Sequence, residues 1–290
     1  MKHDDSNRAR TALPQVAWPA FLADALRSSS QRHEHLRRRC AKKISKRSIH
    51  DLRIETRRQL ALATLAGEVC GAPIDRLRRS LKRYLHGTAK LRDAEVQLEF
   101  VDEMVSQYPE IRTFRRHLRR TVDRRIGETE TKLRRRKKKL SMRVRALAAA
   151  VLVPSETRQA GPAIVFALRG ALTAVQEVSL AAQPGDEQMH QARLALKRLR
   201  YMAEALRGVV PGISAGWIER LRRSQSAMGD IHDLQILAHH LAQQTARRPR
   251  ERSRLRHFQT ILAGRKKRLQ RGYRSRLPPP PAQLRRIIAV

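Results

Sequence analysis

HDLRIETRRQL, residues 50–60, recurs 140 positions later as HQARLALKRLR, residues 190–200. Both copies place histidine first (His50, His190), arginine fourth (Arg53, Arg193) and consecutive cations eighth and ninth (Arg57-Arg58, Lys197-Arg198). The same offset, without a gap, pairs Leu81 with Leu221, Lys82 with Arg222, Arg83 with Arg223 and Asp93 with Asp233. Repetition over such a span predicts two similar helical halves, meeting near Pro154 to Pro162, that pack as a pseudo-symmetric pair. At about 100° per residue, Lys46, His50, Arg53 and Arg57 share an arc of roughly 60° on a helix. His190, Arg193, Lys197 and Arg200 form the matching stripe. Arg76, Arg79, Arg83 and His86 follow on the next helix, with Arg220 and Arg223 in the second half. Like charges stacked at three and four spacing repel by a few tenths of a kcal/mol per pair. Repulsion kept on two equivalent helices points to an anionic ligand rather than to an ordinary solvated face.

Outward from these segments the chain reads as helix throughout. Apolar residues recur at three and four spacing in Leu77, Leu81, Tyr84 and Leu85, in Leu91, Ala94, Leu98, Val101 and Val105, and in Leu118, Val122, Ile126, Thr129 and Leu133. Runs of strand type are missing. Breakers at Gly71 to Pro73, Tyr108-Pro109, Pro154 to Pro162, Pro184-Gly185, Pro211 to Gly216 and Pro249 divide the chain into about eight helical segments. Trp18, Phe21, Leu22, Ala25 and Leu26 fit one apolar face and Ile164, Ala167, Ala171, Leu172 and Val175 another, each expected to pack inside its own half. Pro278 to Pro281 predicts an extended stretch that ends the fold, leaving residues 278–290 as a proline-rich tail.

Composition bounds the function. The 290 residues carry 63 Lys plus Arg against 26 Asp plus Glu, a formal charge of +37, which demands a polyanionic partner or a permanent counterion cloud. Arg greatly outnumbers Lys, as where planar, multidentate grip on phosphate or carboxylate matters. With 41% hydrophobic residues the chain has enough apolar material for a true core. Two cysteines, Cys40 and Cys70, cannot build a disulfide framework or a four-thiolate zinc site, and their scarcity suits a reducing, cytoplasmic setting. The longest apolar run, Ala146 to Val153, is far short of the roughly 18 residues of a membrane span, and the start lacks a signal-peptide pattern.

The segments HDLRIETRRQL (50–60) and HQARLALKRLR (190–200), with KLRDAEV (90–96) and MGDIHDLQIL (228–237), together resemble the CHAD family, the conserved-histidine α-helical domain. The resemblance runs from about Trp18 to about Leu277. It implies an all-α fold of two pseudo-symmetric antiparallel four-helix bundles around a basic cavity, one half over residues 15–157 and the other over 158–277. It also implies inorganic polyphosphate as the ligand, association with polyphosphate granules, and no cofactor. Carried over position by position, it makes His50, Arg53, Arg57, His190, Arg193, Lys197 and Arg200 the phosphate contacts, followed by Lys82, Arg83, Arg222 and Arg223. Ala89 stands where the second half has Gly229, and His232 stands where the first half has Arg92, so the contacts of that segment depart from the pattern. Asp93 and Asp233 read as residues that orient arginines or cap a helix.

Polyphosphate offers a charged backbone without bases, which Arg and Lys neutralise with release of counterions. Nucleic acid is the main rival. The 2 Trp, 4 Tyr and 5 Phe leave few platforms for stacking bases, although nonspecific RNA or DNA binding at low salt is expected. The run RRRKKK (134–139) reads first as a solvated helix face. ETETK (128–132) spells the E-x-E-x-K of CYTH triphosphatases, but that chemistry needs a strand to put both carboxylates on one face, and here the flanks are helical, making Glu128 and Lys132 an i,i+4 pair. His50-Asp51 and His232-Asp233 recur at different places in the two halves, and few acidic residues remain for a metal site. Met1-Lys2-His3 and His239-His240 read as incidental. The sequence therefore predicts a binding module without catalytic or metal residues.

Overall fold

The computed structural model describes residues 13, 16–135, 139–153, 160–179, 185–247, 249–273 and 278–289. These form the helices α1 (Trp18–Lys42), α2 (Lys46–Cys70), α3 (Asp75–Gly87), α4 (Ala89–Met104), α5 (Arg112–Arg135), α6 (Lys139–Val151), α7 (Ala160–Ser179), α8 (Asp186–Leu206), α9 (Ala215–Arg247), α10 (Pro249–Tyr273) and α11 (Ala282–Ala289). A 3-10 turn, Pro109–Ile111, leads into α5, and the described residues contain no strand. The offset of 140 recurs in these boundaries. It carries the first residue of α2 onto that of α8 and the first residue of α3 onto that of α9. It also lays α1 over α7, α5 over α10 and α6 over α11.

Local chemistry sets the ends of the helices that matter most. At the start of α2, Ser45 Oγ accepts from Ser48 N at 3.1 Å and Ser48 Oγ accepts from Ser45 N at 2.9 Å, a reciprocal cap that satisfies two free amides. Its far end turns at Gly71, whose φ of 66° suits the left-handed cap. Asp186 and Glu187 open α8, where carboxylates favour the positive end of the helix dipole. Between α3 and α4 only Thr88 intervenes, whereas α9 passes through the matching positions without a break.

Sequence periodicity leads one to expect each half to bury its apolar faces within itself; the cores instead cross the repeat. One joins Trp18, Leu22 and Leu26 of α1 and Leu52, Leu62 and Leu65 of α2 to Ile164, Leu168 and Leu172 of α7 and Leu196, Leu199 and Leu206 of α8. The second joins Val101 of α4 and Phe114 and Leu118 of α5 to Leu234 and Leu237 of α9 and Phe258 and Leu262 of α10. Thus α2 packs on both α7 and α8, and α4 on α9. Periodicity identifies the face a helix buries but not the helix that covers it, which is why this pairing was not legible. Ion pairs repeat the crossing. Arg58 of α2 reaches Glu204 of α8 at 2.9 Å, and Arg198 of α8, the counterpart of Arg58, reaches Glu68 of α2 at 2.6 Å.

The carboxyl-terminal expectation also changes. Past Pro278–Pro281 the chain forms α11, which packs on α7 and buries Leu284 and Ile287 at the positions that Val144 and Leu147 hold in α6. The apolar three-residue spacing of these two was the signal, masked by the prolines before it. Among the described residues no helix is long and apolar enough to cross a membrane. Both cysteines are free, Cys40 buried with its thiol donating to Ser48 O at 3.1 Å.

Candidate functional site

The packing of α2 on α8 and of α4 on α9 brings the repeated cations to one place. Arg53 is only 9% exposed, and its guanidinium lies in the field of Arg57, Asp93, Arg92 and Arg193. Burial above all, then Arg57, pulls its pKa down to about 10. Lys197 is pulled down to about 6, first by burial and then by Arg193, Arg57 and Arg53, with Asp233 opposing. Arg193 is likewise lowered by burial, while Asp233 and Asp93 resist and Arg57 adds to the effect. Residues of both halves therefore share one electrostatic cluster.

The histidines border the same cluster. His50, exposed overall, is lowered by partial burial and then by Arg92. The rings of His190 and His232 lie 5.7 Å apart, and burial, Arg193, His190 and Lys197 push His232 to about 4. Two carboxylates complete the arrangement. Burial raises Asp93 against the pull of Arg53 and Arg193, and raises Asp233 to about 6 against Arg193, with Asp93 adding to the rise. Both sit inside helices rather than at caps, so the alternative of arginine orientation fits their surroundings. Arg92 and His232, set aside by sequence reasoning because the two halves differ there, lie in this group.

The remaining site residues read from the sequence are placed differently. Arg200 is buried away from the cluster, donating from Nε to Gln225 Oε1 at 2.7 Å, paired with Glu204, and stacked 4.0 Å over the Tyr201 ring. Arg222 and Arg223 are exposed and held by Glu219 at 2.7 and 3.3 Å. Lys82 and Arg83 are exposed on α3, with Arg83 Nη2 3.5 Å from Ser80 Oγ. Lys46 of the first stripe pairs with Glu99.

Cavities of about 580 Å³ between α1 and α6, and about 450 Å³ along α5, lie elsewhere, so converging charge rather than enclosed volume marks the site. Among the described residues no three His, Cys, Asp or Glu side chains are grouped to hold a metal ion. His239 and His240 are engaged by Gln243 and Gln97, and Met1-Lys2-His3 lies outside the described residues. Glu128 sits in α5 and accepts from Arg125 at 2.6 Å, so its direct partner is at i−3 rather than at Lys132.

The family model of the CHAD domain matches residues 8–242, most of the chain. The chain belongs to the CHAD family. Its fold resembles the crystal structure of the CHAD domain from the plant Ricinus communis, with a TM-score of 0.75 at 14% identity over 91% of this chain and 93% of that one. It also resembles PptA from Streptomyces chartreusis, with a TM-score of 0.60 at 18% identity over 89% of this chain and 96% of that one. No curated protein matches it. Within this CHAD chain the paired histidine segments are the ones the fold carries to the shared cluster.

Proposed function

We propose that this CHAD chain binds inorganic polyphosphate between its two halves, as a pseudo-symmetric two-bundle module with no catalytic chemistry of its own that takes the protein to polyphosphate deposits in the cytoplasm. The observation that carries the reading is the convergence of His50, Arg53 and Arg57 with His190, Arg193 and Lys197 at one half-buried, cation-rich place. Without an anion, burial and like charge weigh against His50, Arg53, Arg193 and Lys197. A flexible chain of phosphates supplies the compensating charge at each point, through charge-assisted hydrogen bonds to the arginines. Family membership supports the same ligand.

Nucleic acid remains the rival for one observed reason, the exposed arginines 112, 116, 119 and 120 on α5. A competition titration separates the two. Labelled long-chain polyphosphate is displaced by single-stranded RNA, duplex DNA or orthophosphate at ~150 mM salt, where backbone attraction to exposed charges is largely screened. The proposal expects resistance to RNA and DNA, and collapse of binding when His50, Arg53, His190 and Arg193 are changed to Ala. Equal displacement by RNA with little loss in that variant would make the protein a diffuse polycation.

A further inference from the structure

Arg53 and Arg193 occupy the same place in the two repeats, yet their surroundings differ. Arg53 Nη1 donates to Leu85 O at 2.7 Å and to Thr88 Oγ1 at 2.8 Å. Thr88 is the single residue that separates α3 from α4, and its hydroxyl donates back to Tyr84 O or Leu85 O, each at 3.2 Å. The break leaves carbonyl capacity at the end of α3, which the guanidinium and the hydroxyl take up. In the second half Met228 stands at the place of Thr88, and α9 continues through it as unbroken helix, so neither the hydroxyl nor an end carbonyl is offered. The side chain of Gln225, which matches Leu85, is engaged by Arg200. Among the described residues Arg193 Nε is buried without a hydrogen-bond partner, and no carboxylate pairs directly with Arg193 or with Lys197. Asp233 and Asp93 act on Arg193 only through space.

On the reading that this cluster takes polyphosphate, we propose that the two repeats have divided the work. Arg53 is a positioning residue, clamped by Thr88 and the end of α3, whereas Arg193 with Lys197 forms the arm that hydrogen-bonds the phosphates. Both hydrogens of Arg53 Nη1 are taken by chain oxygens, which fixes the guanidinium and leaves only Nε and Nη2 to face a ligand, whereas among the described residues no hydrogen bond holds Arg193. The clamp also fixes α2 against α3 and α4, and so sets where His50 and Arg57 stand. Divergence at one position, Thr88 against Met228, thereby separates a rigid frame from an anion-gripping arm.

The test measures long-chain polyphosphate affinity across a salt series, together with the melting temperature without ligand, for Arg53→Ala, Arg193→Ala, Thr88→Val and Thr88→Ser. Removing one cation that neutralises a phosphate should lower the slope of log K against log salt by roughly 0.7 to 0.9, as on nucleic-acid backbones. Arg193→Ala is expected to lower the slope by about that amount with its unliganded melting temperature unchanged or raised. Arg53→Ala is expected to melt several degrees lower with the slope retained. Thr88→Val, which keeps every cation and serves if Arg53→Ala does not fold, should melt about 2–4 °C lower and bind several-fold more weakly at the wild-type slope. Thr88→Ser should restore both, a rescue that mere loss of packing would not give. Equal slope decreases in Arg53→Ala and Arg193→Ala, with wild-type binding intact, would overturn the division of labour alone. Absence of binding by the wild type would overturn the polyphosphate reading on which it rests.

Discussion

At Lys197 the cost of the site is concentrated in one amine. Burial, reinforced by Arg193, Arg57 and Arg53, brings its pKa to about 6, so at neutral pH folding strips it of a proton that the unfolded chain keeps. Lys197→Met removes that cost and is expected to raise the melting temperature without ligand by about 2–4 °C while weakening polyphosphate binding at least tenfold; a lower melting temperature with affinity retained would contradict it. A bound polyanion raises the pKa of Lys197, and the same holds for His50, His232 and Asp233, so binding takes up protons. The affinity is therefore fully expressed below the free-state value of about 6 and falls as pH rises through the higher bound value. Calorimetry in two buffers of different ionisation enthalpy at pH 7 should report net proton uptake, with affinity falling between pH 6 and 8. Flat affinity over that range, or net proton release, would contradict it. That histidine responds to acid near neutrality follows from its ordinary pKa alone. Lysine in that role was not legible from the sequence, because its low pKa comes from burial and from arginines far away in the chain.

Among the elements, α11 and the contact of α2 with α1 make the most exposed predictions. Gly212 turns the chain with a φ of +85°, and a Cβ there would stand 2.7 Å from Leu284 N. Gly212→Ala is strained by both, so hydrogen exchange should show α11 losing protection while α2 keeps its own; unchanged exchange in α11 would contradict this docking. Glu55, 2% exposed, accepts from Ser29 Oγ at 2.7 Å and lies 3.4 Å from Arg32 and 3.6 Å from Arg58. Glu55→Ala removes the acceptor of the buried Ser29 hydroxyl, whereas Arg32 and Arg58 stay about half exposed and Arg58 keeps Glu204, so it should cost about 1–3 kcal/mol in denaturant unfolding, as an unsatisfied buried donor does; no measurable loss would show the network to be incidental. Glycine and proline marked most of the helix ends from sequence alone. The break at Ser45 went unseen because its signal is a reciprocal serine cap rather than a breaker, and the break at Thr88 because a single hydroxyl residue interrupts an otherwise continuous periodicity. The charged positions of the repeat were legible because like residues recur at one offset, whereas α6 and α11 share only the apolar character of a few positions.

For the whole molecule, a charge of +37 makes stability and ligand inseparable. Polyphosphate that binds the folded chain stabilises it by mass action, about 2.7 kcal/mol at one hundred times Kd, which should raise the melting temperature by roughly 5 °C; no shift at saturation in low salt would contradict the reading. The crossing of the two cores gives this a structural sense, since each core takes helices from both halves and separating the halves would open both. One site shared by the two repeats is the arrangement on which the proposed function rests. Calorimetric titration with a short polyphosphate of defined length at ~150 mM salt tests it directly, on the wild type, on His50→Ala with Arg57→Ala, on His190→Ala with Arg193→Ala, and on all four together. A shared cluster should give one site per chain, weakened by either pair, with the combined loss departing from the sum of the two because the groups share a ligand. Two sites per chain, each abolished only by the pair of its own half, would contradict it.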